Sequence, residues 1–299
     1  MAQTGYKCGF VAVVGRPNVG KSTLINTLLG EKVSIVTRKP QTTRHRILGI
    51  DTQEDHQAIY IDTPGLHRQA GKAMNRLMNR TAANALLDAD LVIFVSEATK
   101  WTDEDQDILV RLTDISVPVI AVINKVDKVH PKDALFEALS AMASRRDFDE
   151  VVPVCARRAD DASQVRQIVA ALLPESVPLF PEEMVTDRTE EFRAAEVVRE
   201  KLTLALRQEV PYGLTVQVEN FERDDKGIAI NAIIWVERDS QKGIVVGKGG
   251  KLLKSVGRSA RLDLREQLGQ PVHLELWVKV KDNWADSEKD LLRLGYESP

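Results

Sequence analysis

The sequence predicts a doubly wound α/β domain followed by a smaller domain of the α+β class. Up to about residue 173, short apolar runs typical of buried strands alternate with helical patterns, the order that builds a mostly parallel sheet covered by helices. A glycine-rich loop joins the first strand to the first helix. Beyond a proline-rich stretch, the pattern changes to helix, two strands, two helices and a strand.

In the first domain, apolar runs predict five strands and amphipathic segments predict five helices. The strand candidates are rich in valine and isoleucine and span residues 10–14, 58–61, 91–95, 119–123 and 151–154. The helix candidates span residues 22–29, 75–87, 104–112, 134–144 and 164–173. Ligands of such sheets bind beyond the carboxyl ends of the strands, so motifs at strand ends are the candidates for function.

The chain length and its prolines predict two domains and a linker. The 299 residues exceed the usual size of one hydrophobic core. Pro174, Pro178 and Pro181 lie too close together for a helix. We therefore predict a first domain over 1–175, a semi-rigid linker over 176–189 and a second domain over 190–299.

The second domain has the predicted order α-β-β-α-α-β. Trp235 and Trp277 lie in its strands and are expected in the core. The predicted elements are a helix over 190–208, strands over 215–219 and 228–237, two helical pieces on either side of the glycines at 247–250, the second reaching about residue 268, and a strand over 272–280.

Composition favours a folded cytoplasmic protein. Hydrophobic residues make up 43% of the chain and charged residues 28%, which excludes disorder as the main description. The net charge of −3 predicts no partner by itself. Cys8 and Cys155 are the two cysteines, so we expect neither a disulfide framework nor a zinc site. We also expect no signal peptide, and no apolar run reaches the length of a membrane span.

Residues 15–22 read GRPNVGKS and fit the phosphate-loop pattern G-x-x-x-x-G-K-[ST]. Because the loop follows a strand and opens a helix, its N–H groups point into one volume that suits an anionic phosphate chain. Lys21 supplies charge at the β- and γ-phosphates, and the Ser22 hydroxyl is placed to ligate Mg²⁺. The predicted contacts are Gly15, Arg16, Pro17, Asn18, Val19, Gly20, Lys21 and Ser22.

A second motif ends the strand candidate at 58–61. An acid at that strand end can hold the Mg²⁺ shell, and a following glycine lets a backbone N–H approach a γ-phosphate. Alone, this motif would also fit an ordinary turn. The predicted contacts are Asp62, Thr63, Pro64, Gly65 and Leu66.

Residues 124–127 read NKVD and identify the base. Guanine presents N1–H and an exocyclic amine side by side, and one carboxylate accepts from both. Adenine lacks this donor pair, so Asp127 selects GTP and GDP over adenine nucleotides. The predicted contacts are Asn124, Lys125, Val126 and Asp127.

With the loop at 154–156, these motifs resemble the translation-factor class of GTPases. That class carries Ser-Ala in the last loop, and the resemblance implies that the N–H of Ala156 meets guanine O6. Cys155 stands where serine is usual. The hydroxyl that braces the loop is therefore lost, and nucleotide affinity is expected to be weaker. Cys155 and Ala156 complete the predicted site.

A polar segment before the next strand predicts a switch loop. A threonine there can ligate Mg²⁺ only while GTP is bound, which makes the loop a sensor of the γ-phosphate. Related GTPases imply Thr43 rather than Thr42 for this role. The predicted metal ligands are Ser22, Thr43 and Asp62.

Two residues bear on hydrolysis. Leu66 stands where Ras-type enzymes use a glutamine to orient water, so another group must do so here. Related GTPases imply that Asn18 helps to hold K⁺ against the phosphates, as a substitute for an arginine finger; the alternative is that Asn18 only satisfies the loop. The predicted catalytic residues are Lys21, Asn18 and Thr43, and the arginines near enough to be finger candidates are Arg16, Arg44 and Arg46.

The loop at 247–250 reads GKGG and, in its α-β-β-α-α-β context, resembles a KH domain of type II. Its glycines let the backbone approach a nucleic acid, and such a loop clamps a few nucleotides of a single strand. Residues 242–261, here called the basic segment, contain six Lys or Arg and no acid. The alternative is a solvated basic face beside a glycine turn. The predicted RNA contacts are Gly247, Lys248, Gly249, Gly250, Lys251, Lys254 and Arg258.

Across both domains the chain resembles the Era family of bacterial GTPases. The matching stretches include 15–22, 39–46, 62–67, 124–127, 247–250 and 274–281. The resemblance implies a monomeric GTPase that binds the 3′ end of 16S rRNA and acts in 16S rRNA processing and in biogenesis of the small (30S) ribosomal subunit. Peripheral association with the inner membrane is left open. The alternative function is a regulatory GTPase whose second domain binds a protein or a membrane.

Overall fold

The computed structural model describes residues 5–65, 72–206 and 210–296, which form two compact units. The first unit extends to Asp187, and the second begins at Arg188 and also takes in residues 72–74.

A six-stranded sheet in the order β2-β3-β1-β4-β5-β6 forms the centre of the first unit. Its strands are β1 (Lys7–Val14), β2 (Ile47–Thr52), β3 (His56–Asp62), β4 (Leu91–Glu97), β5 (Val119–Asn124) and β6 (Glu150–Pro153). All neighbours pair in parallel except β2, which is antiparallel to β3. Because β1 lies between β3 and β4, the strand order reverses beside β1, which opens a crevice at the carboxyl ends of these strands.

Five helices cover both faces of this sheet, which confirms the doubly wound prediction. They are α1 (Lys21–Leu29), α2 (Ala73–Leu87), α3 (Asp103–Arg111), α4 (Asp133–Ala143) and α5 (Ala159–Leu172). α1 and α5 pack against one face, whereas α3, α4 and the end of α2 pack against the other.

The edge strand β2 is a feature that the sequence pattern does not predict. Gly49 and Asp51 are poor strand formers, and they interrupt the apolar run. The strand is nevertheless covered along its edge: the N–H of Ile50 donates to Val185 O at 2.8 Å. Covering an edge in this way satisfies backbone groups that would otherwise pair with another chain.

The proline-rich stretch predicted as a linker packs on the first unit up to Asp187. The Gln57 carboxamide is fully buried. It accepts from the N–H groups of Leu179 and Phe180 at 2.8 and 3.0 Å and donates to Phe180 O at 2.9 Å. This part of the stretch is therefore an extension of the first unit, held by hydrogen bonds to a core strand.

The second unit contains a three-stranded sheet in the order β7-β8-β9. Its elements are α6 (Glu190–Ala205), β7 (Leu214–Asp224), β8 (Gly227–Val236), α7 (Asp239–Val246), α8 (Lys251–Leu268), β9 (Val272–Val280) and α9 (Glu288–Arg293). β7 and β8 are antiparallel, β8 and β9 are parallel, and α6 and α8 pack against one face. The predicted order α-β-β-α-α-β is confirmed, with α9 added. Within the described ranges, no helix is long and apolar enough to cross a membrane.

The tryptophans correct part of the core prediction. Trp277 is 44% exposed, because alternate residues of β9 face away from the helices. Trp235 is half-buried, and its indole N–H donates to Gln217 at 3.1 Å. Trp284, for which the sequence suggests no role, is fully buried and donates to Gly213 O at 3.3 Å.

Candidate nucleotide site and glycine-rich loop

The phosphate loop turns in a conformation that requires its glycines. It leaves β1 at Val14 and enters α1 at Lys21. A Cβ on Gly15 would lie 2.4 Å from Val95 O, and one on Gly20 would lie 2.2 Å from Asn124 Nδ2. Side chains at either position would push the loop away from the strand ends, so the two glycines keep it within reach of the rest of the site.

Lys21 is buried beneath this loop. Its Nζ donates to Gly15 O at 2.9 Å and to Arg16 O at 3.3 Å. Burial lowers the pKa of Lys21 to about 8, and the nearby Asp62 carboxylate opposes that shift. The ammonium therefore faces carbonyl oxygens rather than a counter-ion, and an anionic ligand would stabilise its charged form.

The three predicted metal ligands lie together. Ser22 Oγ donates to Asp62 Oδ2 at 2.7 Å and lies 3.0 Å from Thr43 Oγ1, which is 3.4 Å from the same carboxylate oxygen. Burial raises the pKa of Asp62, and the hydrogen bond from Ser22 opposes it. Asp62 Oδ1 is buried and has no hydrogen-bond partner in the described part of the chain. Hydroxyl and carboxylate oxygens with one such orphan atom fit a hard cation such as Mg²⁺.

The structure separates the two switch threonines. Thr42 Oγ1 donates to Lys39 O at 2.7 Å and contacts Thr37 Oγ1 at 2.6 Å, away from the oxygen cluster that includes Thr43. Arg44, a finger candidate, is buried and donates through Nε to Gln41 O at 3.3 Å. Hydrogen bonds between residues 37–44 therefore fix the conformation of the switch segment.

The segment after β3 approaches the phosphate loop. Thr63 Oγ1 donates to Val13 O at 3.1 Å. A Cβ on Gly65 would lie 2.9 Å from Pro17 Cγ, so only glycine allows this approach. Pro64 is buried beside it. Leu66 lies outside the described residues.

Asn124 joins three loops through one buried carboxamide. Its Nδ2 donates to Val19 O at 2.7 Å, and its Oδ1 accepts from the N–H groups of Lys125 and Ala156 at 2.7 and 2.9 Å. The N–H of Ala156, which the family resemblance assigns to guanine O6, is engaged here by Asn124. A guanine contact therefore has to share that donor.

Behind the loops lies an ion-pair network that no sequence pattern predicts. Arg16 donates through Nε to Asp105 at 3.0 Å and through Nη2 to Glu97 at 3.1 Å. Lys125 Nζ donates to Glu97 at 3.0 Å and to Asn18 O at 2.8 Å. These contacts hold the Arg16 guanidinium away from a finger role. The signal for Glu97 is its place at the carboxyl end of β4, the same kind of place that Asp62 has on β3.

Asp127, the carboxylate predicted to read the base, has a cationic neighbour. Arg157 Nη2 lies 3.0 Å from Asp127 Oδ2. Burial acts to raise the pKa of Asp127, but hydrogen bonding with Cys155 and the charge of Arg157 outweigh it, so the pKa is lowered. The loop that lacks the usual serine is braced through its backbone, since the N–H of Cys155 donates to Asp161 at 2.6 Å. Val126 lies in the 3₁₀ turn between these parts.

The glycine-rich loop of the second unit has an open backbone. Gly247, Gly249 and Gly250 have φ values of 72°, 61° and 74°, in the left-handed region. A Cβ on Gly247 would lie 2.7 Å from Leu252 Cβ, whereas none of the described atoms lies within 4 Å of a Cβ built on Gly249 or Gly250. The basic residues of the basic segment are all exposed, namely Lys242, Lys248, Lys251, Lys254, Arg258 and Arg261.

Comparison with known proteins gives consistent matches over both units. A family described as "50S ribosome-binding GTPase" matches residues 10–125, and the KH domain family matches 209–285. The chain is 51% identical over 290 residues to GTPase Era of Haemophilus ducreyi, which covers 97% of this chain and 95% of that protein. It is 50% identical over 291 residues to GTPase Era of Vibrio vulnificus, with 97% and 91% covered.

Two crystal structures are similar over nearly the full chain. One is Era in complex with MgGDPNP and nucleotides 1506–1542 of 16S ribosomal RNA, with a TM-score of 0.93, 38% identity and coverage of 97% of this chain and 99% of that one. The other, an Era variant of Aquifex aeolicus bound to GDP and AlF₄⁻, gives the same values.

The environment of Lys21 predicts a pH-dependent nucleotide affinity. Bound phosphate favours the ammonium form, so GDP binding takes up a proton wherever the free chain has lost it. With a pKa of about 8 in the free chain, we expect the Kd for GDP to rise about tenfold between about pH 7 and pH 9. Titration calorimetry measures this rise, and Lys21→Arg, which stays charged, should show a flat profile. A flat profile in the unaltered chain would contradict the assignment.

Proposed function

The chain is a GTPase that belongs to the Era family, and we propose that it binds the 3′ end of 16S rRNA through its KH domain. On this proposal it acts in 16S rRNA processing and in biogenesis of the 30S subunit. The supporting relative is the Era crystallised with MgGDPNP and nucleotides 1506–1542 of 16S rRNA. The observation within this chain that carries the RNA part is the open glycine-rich loop beside the exposed basic segment.

The nucleotide site is assigned to the loops at the strand ends. We propose that the phosphate loop wraps the phosphates, that Lys21 pairs with the β- and γ-phosphates, and that Asp127 reads guanine. Ser22, Thr43 and Asp62 would hold Mg²⁺, which neutralises phosphate charge when bound. Since Thr43 belongs to the switch segment, its ligation of Mg²⁺ would depend on the γ-phosphate.

The charge that develops on the phosphates during hydrolysis requires a cation other than Arg16, whose guanidinium is bound to Glu97 and Asp105. We propose K⁺ as a second cation, with Asn18 contributing an oxygen. The Asn18 side chain is exposed at the phosphate loop, and its backbone is fixed by Lys125. A cation at that place would stabilise charge that develops in the transition state.

The RNA clamp is assigned to the loop and the adjoining helix face. Backbone without side chains at Gly249 and Gly250 allows a nucleotide strand to approach closely. Lys248, Lys251 and Lys254 would pair with its phosphates. A cytoplasmic location, a monomeric state and peripheral contact with the inner membrane stay predictions.

A charge in the clamp should abolish RNA binding and spare the nucleotide. We expect Gly249→Asp to weaken binding of an RNA with the 16S 3′-terminal sequence at least about tenfold, because the carboxylate repels phosphate. Affinity for GTP should not change. Gly269→Asp is the matched control: Gly269 has φ 67° and open space like Gly249, but it ends α8.

Filter binding over a salt series measures the RNA affinity of each variant and its dependence on salt. The logarithm of the binding constant should fall with log salt by about 0.7 per phosphate contacted. Equal RNA affinity in Gly249→Asp and the unaltered chain would refute the clamp. Unchanged RNA binding with loss of binding to anionic vesicles or to a protein would favour the alternative regulatory GTPase.

The monovalent cation can be tested by exchange at constant ionic strength. Replacing K⁺ with Na⁺ should slow GTP hydrolysis by the unaltered chain about tenfold or more. Asn18→Ala should hydrolyse GTP at a similarly low rate in both salts, whereas Asn18→Asp keeps an oxygen and should keep the K⁺ stimulation. Equal rates of the unaltered chain in K⁺ and Na⁺ would exclude the role.

A further inference from the structure

We propose that Glu97 is a positioning residue that sets the spacing between the phosphate loop and the base-reading loop. The inference rests on the nucleotide site proposed above. It adds a side chain that lies behind the site and belongs to none of the four motifs.

One oxygen of Glu97 serves both loops. Glu97 Oε2 accepts from Arg16 Nη2 at 3.1 Å and from Lys125 Nζ at 3.0 Å. Arg16 is the second residue of the phosphate loop, and Lys125 is the second residue of the base motif. The Glu97 side chain is only 16% exposed, so solvent screens these contacts less than those of a surface pair. A single carboxylate therefore ties the phosphate end of the site to its base end.

The same contacts hold Lys125 in a backbone conformation that lysine rarely adopts. Its φ is 64°, in the left-handed region that few residue types other than glycine, asparagine and aspartate adopt, and Asn18 at 65° is of a type that tolerates it. Lys125 Nζ donates to Asn18 O at 2.8 Å, so the two left-handed residues are tied together. Such conformations persist where surrounding contacts enforce them and are common at ligand sites. Glu97 supplies that enforcement by fixing the Lys125 ammonium.

The place of Glu97 in the fold keeps it out of direct contact with the proposed Mg²⁺ ligands and with Asp127. It ends β4, level with Asn124 on β5, and its carboxylate pairs with Arg16, which is also held by Asp105 at the start of α3. It contacts neither the Ser22 oxygen cluster nor Asp127 in the described structure. Its loss should therefore weaken GDP and GTP alike, without changing the preference for guanine.

The test is Glu97→Gln, which removes the charge and keeps the size. We expect the Kd for GDP and for GTP each to rise about tenfold, as charge-assisted contacts become neutral ones. The KM for GTP should rise, whereas the ratio of GTP to XTP affinity should stay constant. Glu137→Gln, an exposed glutamate on α4, is the control and should change none of these values.

A double-mutant cycle distinguishes positioning from general stability. In a Lys125→Met background, Glu97→Gln should weaken GDP binding less than twofold further, because the shared contact is already lost. A purely structural role would instead lower the melting temperature of the nucleotide-free chain and act independently of Lys125. If Glu97→Gln fails to fold, Glu97→Asp, which keeps the charge and shortens the reach, should show the same equal loss for GDP and GTP.

Comparison with Lys21→Ala separates the absence of a positioning role for Glu97 from a wrongly placed nucleotide site. If Lys21→Ala weakens GDP binding but folded Glu97→Gln or Glu97→Asp binds like the unaltered chain, Glu97 has no positioning role. If Lys21→Ala binds GDP normally, the nucleotide site itself is wrongly placed.

Discussion

The hydrogen bonds of the Asn124 side chain hold together the loops of the proposed nucleotide site. It is 3% exposed and ends β5, at the carboxyl edge of the sheet. Its carboxamide donates to the phosphate loop at Val19 O and accepts from the N–H groups of Lys125 and Ala156. Parallel strands bring these loops to one edge of the sheet. The phosphate loop offers a carbonyl oxygen and the other two offer N–H groups, so only a side chain with both a donor and an acceptor can bind all three. Gly20 is glycine for the same reason, since any Cβ there would displace the carboxamide.

Near Asn124, the buried charges of Lys21 and Asp62 are bound by uncharged groups and not by each other. Lys21 is held by carbonyl oxygens, and Asp62 by the hydroxyls of Ser22 and Thr43. Neither buried charge is neutralised by a close ion pair within the described residues. Burial therefore lowers the pKa of Lys21 and raises the pKa of Asp62, and both shifts favour the neutral form. On the proposed assignment, an anionic nucleotide would compensate the charge of Lys21 and a divalent cation that of Asp62.

The sequence predicts this arrangement where a local pattern carries the information. Apolar runs give the parallel strands, and motif residues at their ends give the site. The edge strand β2 is not predicted because Gly49 and Asp51 lower its strand propensity, and the residues that cover its edge, 185–187, are distant in sequence. Glu97 is not predicted because its role arises from two partners 81 and 28 residues away in sequence. Exposure of Trp277 likewise depends on which sheet face the helices cover, which its own strand does not encode.

Hydrogen exchange of the nucleotide-free chain tests the role of Asn124 most directly. Asn124→Ala removes donor and acceptor, so exchange should accelerate both in peptides covering the phosphate loop, 15–22, and in those covering 154–158. Asn124→Asp keeps the acceptor and loses the donor to Val19 O, so only the phosphate loop should exchange faster. If Asn124→Ala leaves either loop as protected as in the unaltered chain, the Asn124 side chain does not hold the two loops together.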